Sequence, residues 1–584
     1  MKPSHCSYFA LMALASCSLF FGTANLFVHI PYAVLVYPAV LYILGTCGST
    51  PFRLGWGAGI PGAAASLYWI AVAAHKYGAF PWALAAPCSI LLGMYVALWG
   101  GAFSWLMFRL RELTPCRRAL SAGLVWMLLE WGRGWFVTGF PWLTLSSGLA
   151  AWPLLLQPLS LMGTYAYSGL LTAVACLLVE GICAWSRDRS REFFQEGFRC
   201  AMLALLLLGG CLLFGAWRIS SFPARVAEEG VPVTMTMVQG NIRQDMKWSQ
   251  ENQRLTLEKY IRLSVDAVRR SVEQSAAMSQ EAGGAGAILP VSPVPDAKAA
   301  AAEMGLSIGE PRSSSQNAVL PDMLLWPETA MPFAYPASRN SEPLRAFVRD
   351  LGIPLVFGAP GVEYRPGGRV LFNRAFLLTE NGDAGKYAKE HLVPFGEYLP
   401  PVLDWKIFEP LLQGLGGFTA GGDEALFLLE PQGRPAVPLG MLICYEAIFP
   451  ELARQRVADG AQMLLNVSND AWYDFTSAPM QHLHLSLMRA VEQGRWVARS
   501  TNSGITAFLD PLGGIHAMGK EEDSWALFQD GVHTGIMLAL QGHTPYFYLH
   551  PWLPALAVIL LAALCLPLCR RFRRFTYDYN EKKG

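Results

Sequence analysis

The sequence predicts an α-helical membrane domain and a globular α/β domain within one chain. Apolar residues make up 53% of the 584 residues and charged residues only 15%, whereas ordinary soluble domains have roughly 25% charged residues. The long apolar runs lie almost entirely within 8–217 and 552–569. Residues 226–545 instead alternate short apolar runs with amphipathic stretches, which is typical of strands and of helices that cover a sheet.

The apolar runs predict about eight membrane-spanning helices, since one span needs ~20 mostly apolar residues. Seven precede the globular domain and one follows it: about 8–27, 32–48, 57–74, 83–107, 119–137, 158–185, 200–217 and 552–569. The third contains several glycines and a proline, which neighbouring helices must accommodate. The first run is alternatively a signal peptide, but it has no convincing cleavage site, so we expect a retained span.

Basic clusters predict the orientation, because cytoplasmic loops are enriched in Lys and Arg. These clusters follow the fourth, sixth and eighth predicted spans, at 109–118, 186–199 and 570–574. If the N-terminus is cytoplasmic, so are all three clusters, and the globular domain then lies outside the cytoplasm. We therefore expect a membrane domain of about seven spans, a globular domain, and a final span with a basic cytoplasmic tail, at 1–225, 226–545 and 546–584.

Several classes of site are not indicated by the sequence. The net charge of +1 gives no global basic field of the kind that gathers nucleic acid. There is no glycine loop of the Walker or dinucleotide-binding type. His482 and His484 are two residues apart and would point to different faces of a predicted helix, which is a poor ligand set. We therefore expect neither a metal nor another cofactor.

Cys444 differs from the other cysteines in its surroundings. It is the only cysteine between Cys211 and Cys565, in a domain predicted to lie where disulfides are common. A lone cysteine cannot form a bridge within its own domain. It is either a buried small hydrophobe or a reactive thiol.

Three chemically useful residues follow apolar, strand-like runs. Glu328 ends "LLWPE", Lys389 lies in "KYAKEHLVPFGEYLP", and Cys444 ends "GMLIC". Residues at strand ends can converge at one edge of a sheet. Taken singly, the Glu and the Lys are most simply solvated charges. Together the three supply a base for the thiol proton, a thiolate nucleophile and a cation for an oxyanion, which suffices for acyl transfer.

The motifs around these residues resemble a known family. Glu in "WPE", Lys in "YAKEHLVPFGE" and Cys in "CYE" resemble the catalytic triad of the nitrilase superfamily. Further motifs narrow the resemblance to the bacterial apolipoprotein N-acyltransferases, over nearly the whole chain: "EWGRGWFVTGFPW" (130–142), "VQGNIRQDMKW" (238–248), "NVSNDAWY" (466–473) and "RSTNSG" (499–504). The run 275–318 is longer than this family pattern and rich in Ala, Gly, Ser and Pro, so we expect a flexible insertion.

The resemblance implies a fold and a reaction. The fold is a nitrilase-like α-β-β-α sandwich attached to about eight spans. The reaction moves an acyl chain from a phospholipid to the α-amino group of the diacylglyceryl-cysteine that begins an apolipoprotein, by a ping-pong mechanism through a thioester. Cys444 would then be the nucleophile, Glu328 the general base and Lys389 the oxyanion stabiliser.

The same resemblance implies supporting residues. Glu397, Tyr445 and Glu446 match positions that support the catalytic site, and Trp248 and Trp472 match positions that line or gate the substrate pocket. The two tryptophans are alternatively core or membrane-interface residues.

Glu130 and Arg133 are candidates in the membrane domain. They lie three apart on one predicted helical face and can pair. Ionisable residues within a span usually face a cavity or the bundle interior. Alternatively, they form a helix-end pair at the membrane interface, near Trp131, Trp135 and Trp142.

These inferences predict a monomer in the bacterial inner membrane, with both termini in the cytoplasm and the catalytic domain outside it. Its partners would be a phospholipid donor and a diacylglyceryl apolipoprotein acceptor. We expect it to bind no nucleic acid. Two alternatives remain. One is a membrane-tethered nitrilase-type amidase that passes the acyl group to water, and the other is a non-catalytic scaffold or transporter.

Overall fold

The computed structural model describes residues 5–78, 80–187, 191–244, 247–281, 320–366, 368–398, 417–422, 424–519 and 526–566. The chain forms two compact units. The first comprises Met1–Pro223, Thr476–Gly494 and His543–Gly584, and the second comprises Ala224–Phe475 and Arg495–Gly542. Most of the expected insertion at 275–318 and the basic run at 570–574 lie outside the described residues.

In chain order, the helices are α1 (His5–Gly22), α2 (Val36–Cys47), α3 (Pro51–Ser66), α4 (Trp69–Lys76), α5 (Trp82–Arg109), α6 (Pro115–Arg133), α7 (Pro153–Leu156), α8 (Leu159–Arg187), α9 (Arg191–Glu229), α10 (Gln250–Glu281), α11 (Ser341–Leu351), α12 (Pro450–Ala458), α13 (Ala478–Gln493), α14 (Pro545–Leu549) and α15 (Leu553–Leu566). The strands are β1 (Val231–Gln239), β2 (Met323–Leu325), β3 (Leu355–Arg365), β4 (Gly368–Thr379), β5 (Gly382–Ala388), β6 (Leu426–Leu429), β7 (Val437–Ile443), β8 (Met463–Ser468), β9 (Val497–Thr501), β10 (Ala507–Leu509), β11 (Ile515–Ala517) and β12 (Gly531–Ala539).

The first unit contains fewer full-length candidate spans than the sequence predicts. Within the described residues, three helical segments are long and apolar enough to cross a membrane: Trp82–Arg109, Leu159–Ala184 and Phe194–Phe222. A fourth arises if α3 and α4, bent by 52° at their junction, form one broken span. Shorter apolar helices lie at Ser7–Gly22, Pro31–Cys47 and Leu553–Leu566. By length and composition the structure therefore supports three or four spans, and the count of eight stays a prediction.

The predicted fifth span shows why the counts differ. Its helix, α6, ends at Arg133, and the following residues form a short 3₁₀ turn at Phe136–Thr138. The helix also carries charged residues at both ends. The helix is 19 residues long, so its charged residues rather than its length keep it from being a candidate span.

Small residues allow helices of the first unit to pack closely. A Cβ added at Gly123 of α6 would lie 2.5 Å from the carbonyl oxygen of Gly169 in α8, and one added at Gly169 would lie 2.6 Å from that of Gly123. Close backbone contact through small residues is the usual way in which membrane helices associate.

Helix α13 belongs to the first unit, although the sequence predicts it within the globular domain. Gln481 explains this grouping. Its side-chain oxygen accepts hydrogen bonds from the indole N–H groups of Trp69 (3.1 Å) and Trp142 (2.8 Å), and its amide donates to the carbonyls of Ala24 and Ser66, both at 3.0 Å. The limits that we predict for the domains stay predictions.

The second unit is built on two six-stranded sheets. Their strand orders are β12-β1-β2-β3-β4-β5 and β11-β10-β9-β8-β7-β6. Parallel pairing joins β1 to β2 and β2 to β3 in one sheet, and β7 to β8 and β8 to β9 in the other, while the remaining pairs are antiparallel.

Successive side chains of a strand point to opposite faces of the sheet, and here the two faces belong to two different hydrophobic cores. Val356 of β3 belongs to a core that contains residues of both sheets, such as Met235 and Leu439. Its neighbours Leu355 and Phe357 belong to a second core, formed with α10 and α11. On the far side, α12 contacts β7, where a Cβ added at Gly440 would lie 2.8 Å from the Cβ of Arg456. The layers are helix, sheet, sheet and helix, as the resemblance implies.

Substitutions of two adjacent leucines of β6 test which face of the second sheet packs in the core between the sheets. Leu429 is 1% exposed in the core between the sheets, whereas Leu428 is 54% exposed. We expect Leu429→Ala to lower the free energy of unfolding by about 2–5 kcal/mol, because it leaves a cavity. Leu428→Ala should change it by less than about 0.5 kcal/mol. Thermal unfolding of both variants in detergent measures the difference, and equal effects would contradict this packing.

Candidate active site

The three predicted catalytic residues converge where the two sheets of the second unit face each other. Glu328 follows β2 and Lys389 follows β5, both in the first sheet, whereas Cys444 follows β7 of the second sheet. The sequence predicts convergence at the edge of a single sheet, and this detail is wrong. Two facing sheets bring the residues together instead. All three side chains are buried, with Lys389 only 1% exposed.

Lys389 lies between two carboxylates. Its Nζ is 2.9 Å from a carboxylate oxygen of Glu397 and 3.8 Å from Oε1 of Glu328. Burial lowers the pKa of Lys389, but the charges of Glu397 and Glu328 outweigh burial and hold the pKa above its usual value. The side chain therefore carries a positive charge.

Asn373 of β4 is a residue of the site that the sequence reasoning missed. Its amide Nδ2 donates to Oε1 of Glu328 at 2.6 Å and to Oε1 of Glu397 at 2.8 Å. The backbone N–H of Lys389 donates to the Asn373 carbonyl at 2.9 Å. One residue therefore holds both carboxylates and the backbone of Lys389. The signal was present, because Asn373 is a polar residue within an apolar strand.

Cys444 begins a tight turn. Its φ is +51°, an uncommon conformation for a residue with a side chain, and it opens the 3₁₀ turn Cys444–Ile448. The charge of Glu328 raises the pKa of the Cys444 thiol, and the hydroxyl of Ser468 lowers it. The thiol is thus within electrostatic reach of the predicted general base.

Glu446 links this turn to the segment that follows Lys389. Its Oε2 accepts from the N–H of Ile443 at 2.7 Å, and its Oε1 accepts from the Tyr387 hydroxyl and from the N–H of Glu390, each at 2.7 Å. The carboxylate is completely buried, and burial raises its pKa. The predicted supporting role of Glu446 corresponds in the structure to contacts on both sides of the site.

The electrostatics of the thiol favour its neutral form until a proton acceptor is available. Burial raises the pKa of Cys444, and the charge of Glu328 raises it further, whereas the charge of Lys389 lowers it. Burial also raises the pKa of Glu328, while Lys389 opposes that shift. A carboxylate whose pKa is raised is a better proton acceptor, so the pair can transfer a proton from sulfur to oxygen.

The segment 466–473 lies beside the thiol. Asp470 accepts a hydrogen bond from Arg499 at 2.8 Å and one from Ser468 at 2.9 Å, and Arg499 also bonds to Asn466. These contacts explain the sequence motifs "NVSNDAWY" and "RSTNSG", whose polar residues hold one another in place.

The predicted pocket residues differ in exposure. Trp248 is 49% exposed, which argues against its alternative interpretation as a core residue. Trp472 is partly buried, in the 3₁₀ turn Asp470–Tyr473. Tyr445 is buried, with its ring 5.2 Å from that of Phe449.

In the first unit, Glu130 and Arg133 are both buried, which favours an interior position over the membrane interface. Oε1 of Glu130 accepts from the indole N–H of Trp126 at 2.9 Å and from the N–H of Leu145 at 2.8 Å. Arg133 donates to the Leu143 carbonyl at 3.3 Å. Both line a cavity of this unit, and among the described residues no direct ion pair joins them.

Comparison with known proteins identifies relatives over both parts of the chain. A model of the carbon-nitrogen hydrolase family matches residues 234–525, and a model of the apolipoprotein N-acyltransferase N-terminal domain matches residues 7–177. The apolipoprotein N-acyltransferase of Geobacter metallireducens is 32% identical over 88% of this chain and 86% of its own. The enzyme of that name from Pseudomonas aeruginosa is 31% identical over 94% of each chain.

A solved structure of an amidase variant from Nesterenkonia sp. AN1 covers 54% of this chain and 92% of its own, with 19% identity and a TM-score of 0.31. That score is too low to compare the two structures in detail.

A substitution at Gly358 of β3 tests how closely Glu328, the predicted general base, is held. A Cβ added there would lie 2.5 Å from the backbone nitrogen of Thr329 and 2.7 Å from Cα of Glu328. We expect Gly358→Ala to displace Glu328 and to slow alkylation of Cys444 by iodoacetamide several-fold. The rate is followed by mass spectrometry of the Cys444 peptide.

Gly422→Ala is the matched control, because a Cβ there meets nothing within 4 Å. Alkylation at the wild-type rate in both variants would contradict the close contact between β3 and Glu328.

Proposed function

Since the chain belongs to the family of apolipoprotein N-acyltransferases, we propose that it transfers an acyl chain from a phospholipid to the α-amino group of the N-terminal diacylglyceryl-cysteine of apolipoproteins. The observation that carries the proposal is the buried cluster of three groups, in which Glu328 lies 3.8 Å from the Lys389 ammonium and the charges of both act on the Cys444 thiol.

The first half-reaction acylates the enzyme. Glu328 accepts the thiol proton, and the sulfur of Cys444 attacks the ester carbonyl carbon of the phospholipid. Lys389 stabilises the oxyanion that forms, because its charge is already fixed in a water-poor site. The carbon–oxygen bond then breaks, and Glu328 returns the proton to the leaving oxygen. The products are a lysophospholipid and a thioester on Cys444.

The second half-reaction transfers the acyl group. The neutral α-amine of the apolipoprotein attacks the thioester carbon, and Glu328 accepts a proton from the nitrogen. The carbon–sulfur bond breaks, and the departing thiolate regains that proton. An amide forms and the free enzyme is restored. Burial of the sulfur supports amine transfer over hydrolysis, because it limits access of water to the thioester.

The supporting residues have distinct proposed tasks. Both carboxylate oxygens of Glu397 lie 2.9 Å from Nζ of Lys389, and Oε2 also accepts from the N–H of Val393 at 2.8 Å. Glu446 keeps the Cys444 turn in its uncommon conformation through the N–H of Ile443. Tyr445, next to the nucleophile, packs at the wall of the site.

Trp248 and Trp472 are proposed to contact the substrates. A half-exposed indole offers a large apolar surface to an acyl chain. Trp472 follows Asp470 in the segment held beside the thiol. Glu130 and Arg133 are proposed to stabilise the membrane domain around their cavity.

The membrane context follows from the substrates, which both carry lipid acyl chains. We propose about eight spans, with domains at 1–225, 226–545 and 546–584, in the bacterial inner membrane. Both termini would be cytoplasmic, the catalytic domain would be periplasmic, and the protein would act as a monomer. The apolar helices and the match of residues 7–177 to the N-terminal domain model support the membrane location. The basic clusters at 109–118 and 186–199 support the orientation.

The alternative activity is hydrolysis. The match to a carbon-nitrogen hydrolase model is compatible with an amidase that passes the acyl group to water. Product analysis separates the two activities. With phospholipid and a diacylated lipopeptide, a transferase gives N-acylated peptide, whereas a hydrolase gives free fatty acid.

A covalent adduct tests the enzyme class and the nucleophile together. After mixing with phospholipid in detergent micelles, we expect the intact mass of the wild-type protein to rise by one acyl group. The added mass should disappear when diacylated lipopeptide is supplied. Cys444→Ser should show no thioester, whereas Cys88→Ser, which changes a cysteine of α5, should behave as wild type.

An adduct on another cysteine would contradict the assignment of Cys444. No adduct on the wild-type protein would favour the non-catalytic scaffold.

A further inference from the structure

Lys247 is a buried cation that the mechanism above does not use. Its side chain is 0% exposed, although it directly precedes the half-exposed Trp248. Lysine is almost never fully buried unless it is paired. Among the described residues, Lys247 forms no ion pair, and its Nζ instead donates to the hydroxyl of Thr329 at 3.1 Å. A lysine in such a position calls for an explanation.

The contact with Thr329 brings Lys247 next to the general base. Thr329 directly follows Glu328 and has a φ of +45°, so its backbone is held in an uncommon conformation. Strand β3 contacts the segment that contains Glu328 and Thr329, because the N–H of Gly358 donates to the carbonyl of Pro327 at 3.1 Å. Lys247 therefore bonds to a rigid segment one residue from the Glu328 carboxylate.

A count of charges suggests what Lys247 does. With Glu328 and Glu397 ionised, Lys389 charged and Cys444 a thiol, the cluster carries a net charge of −1. Transfer of the thiol proton to Glu328 moves this charge to sulfur without removing it. Uncompensated charge is costly in a buried site. One additional cation makes the cluster neutral at both stages.

We propose that Lys247 is a positioning residue for Glu328. Held by the Thr329 hydroxyl, its ammonium group balances the excess negative charge of the cluster and keeps the Glu328 carboxylate ionised in mildly acidic conditions. This inference rests on the proposed function, since it concerns the base of the acyl transfer.

The electrostatics give the direction of the effect with pH. Burial lowers the pKa of Lys247 to about 7, against the opposing influence of Glu328. Lys247 is therefore charged below about pH 7 and neutral above it. Burial raises the pKa of Glu328, and the charge of Lys389 lowers it. A second cation at Lys247, which interacts with Glu328, acts in the same direction as Lys389. The other ionisable groups that interact with Glu328 are Lys389, Glu397, Cys444 and Tyr473.

The test is the pH dependence of Cys444 acylation by phospholipid in micelles. In Lys247→Met, the acid limb of the rate profile should shift upwards by about one pH unit, because Glu328 protonates more readily without the cation. At about pH 8.5, where the lysine of the wild-type protein is already neutral, the two rates should agree. The melting temperature of Lys247→Met at pH 6 should not fall, because a buried lysine with a lowered pKa destabilises the fold below its unfolded pKa of about 10.4.

Three further variants sharpen this test. Lys247→Arg keeps a charge at every pH and should retain the wild-type acid limb. Thr329→Val removes the hydroxyl that holds the ammonium and should shift the acid limb part of the way. Lys259→Met is the matched control, because Lys259 is a partly exposed lysine of the same unit that pairs with Asp530 at 2.9 Å. Its rate profile should equal that of the wild type.

A rate that falls by the same factor at every pH in Lys247→Met would indicate a purely structural role and overturn the inference. An unshifted acid limb would overturn it as well. Absence of the acyl adduct from the wild-type protein is a different result, which contradicts the proposed function itself.

Discussion

The structure of the site depends on one buried cation. An ammonium group removed from water is costly unless opposite charges and hydrogen bonds compensate it. Lys389 meets this requirement with Glu397 at 2.9 Å and Glu328 at 3.8 Å. Two carboxylates that share one cation would still repel each other, and the Asn373 amide bonds to both. These four side chains fix the ends of β2 and β5 and the segment after them.

This constraint explains why the nucleophile comes from the other sheet. A cation already bound between two carboxylates can stabilise negative charge on a third group only if that group approaches from another direction. Cys444 does so from the end of β7, on a turn whose backbone is held by Glu446. Glu446 also bonds to Tyr387 and Glu390, which flank Lys389. The carboxylate therefore couples the position of the sulfur to that of the cation.

Sequence reasoning identified the residues of the site better than their arrangement. Glu328 and Cys444 follow apolar strands, which is a local pattern, and both are found at strand ends. The facing of two sheets is not local, so convergence at one sheet edge was the wrong expectation. Asn373 is a polar residue within an apolar strand, but that signal does not reveal its role until its partners Glu328 and Glu397 are known, and the same holds for Lys247 and Thr329. Helix α13 groups with the membrane helices through the hydrogen bonds of Gln481, which periodicity does not reveal. Apolar runs likewise predicted spans whose helices are shorter or bent.

The central claim is that the Lys389 charge makes a reactive thiolate possible in a site where burial opposes one. The most direct measurement is the pH midpoint for alkylation of Cys444 by a small neutral reagent. A Lys389→Met, Glu397→Gln double variant removes the cation without changing the net charge of the cluster. We predict a midpoint at distinctly higher pH in this variant than in the wild-type protein. Equal midpoints would show that the thiol is activated without Lys389.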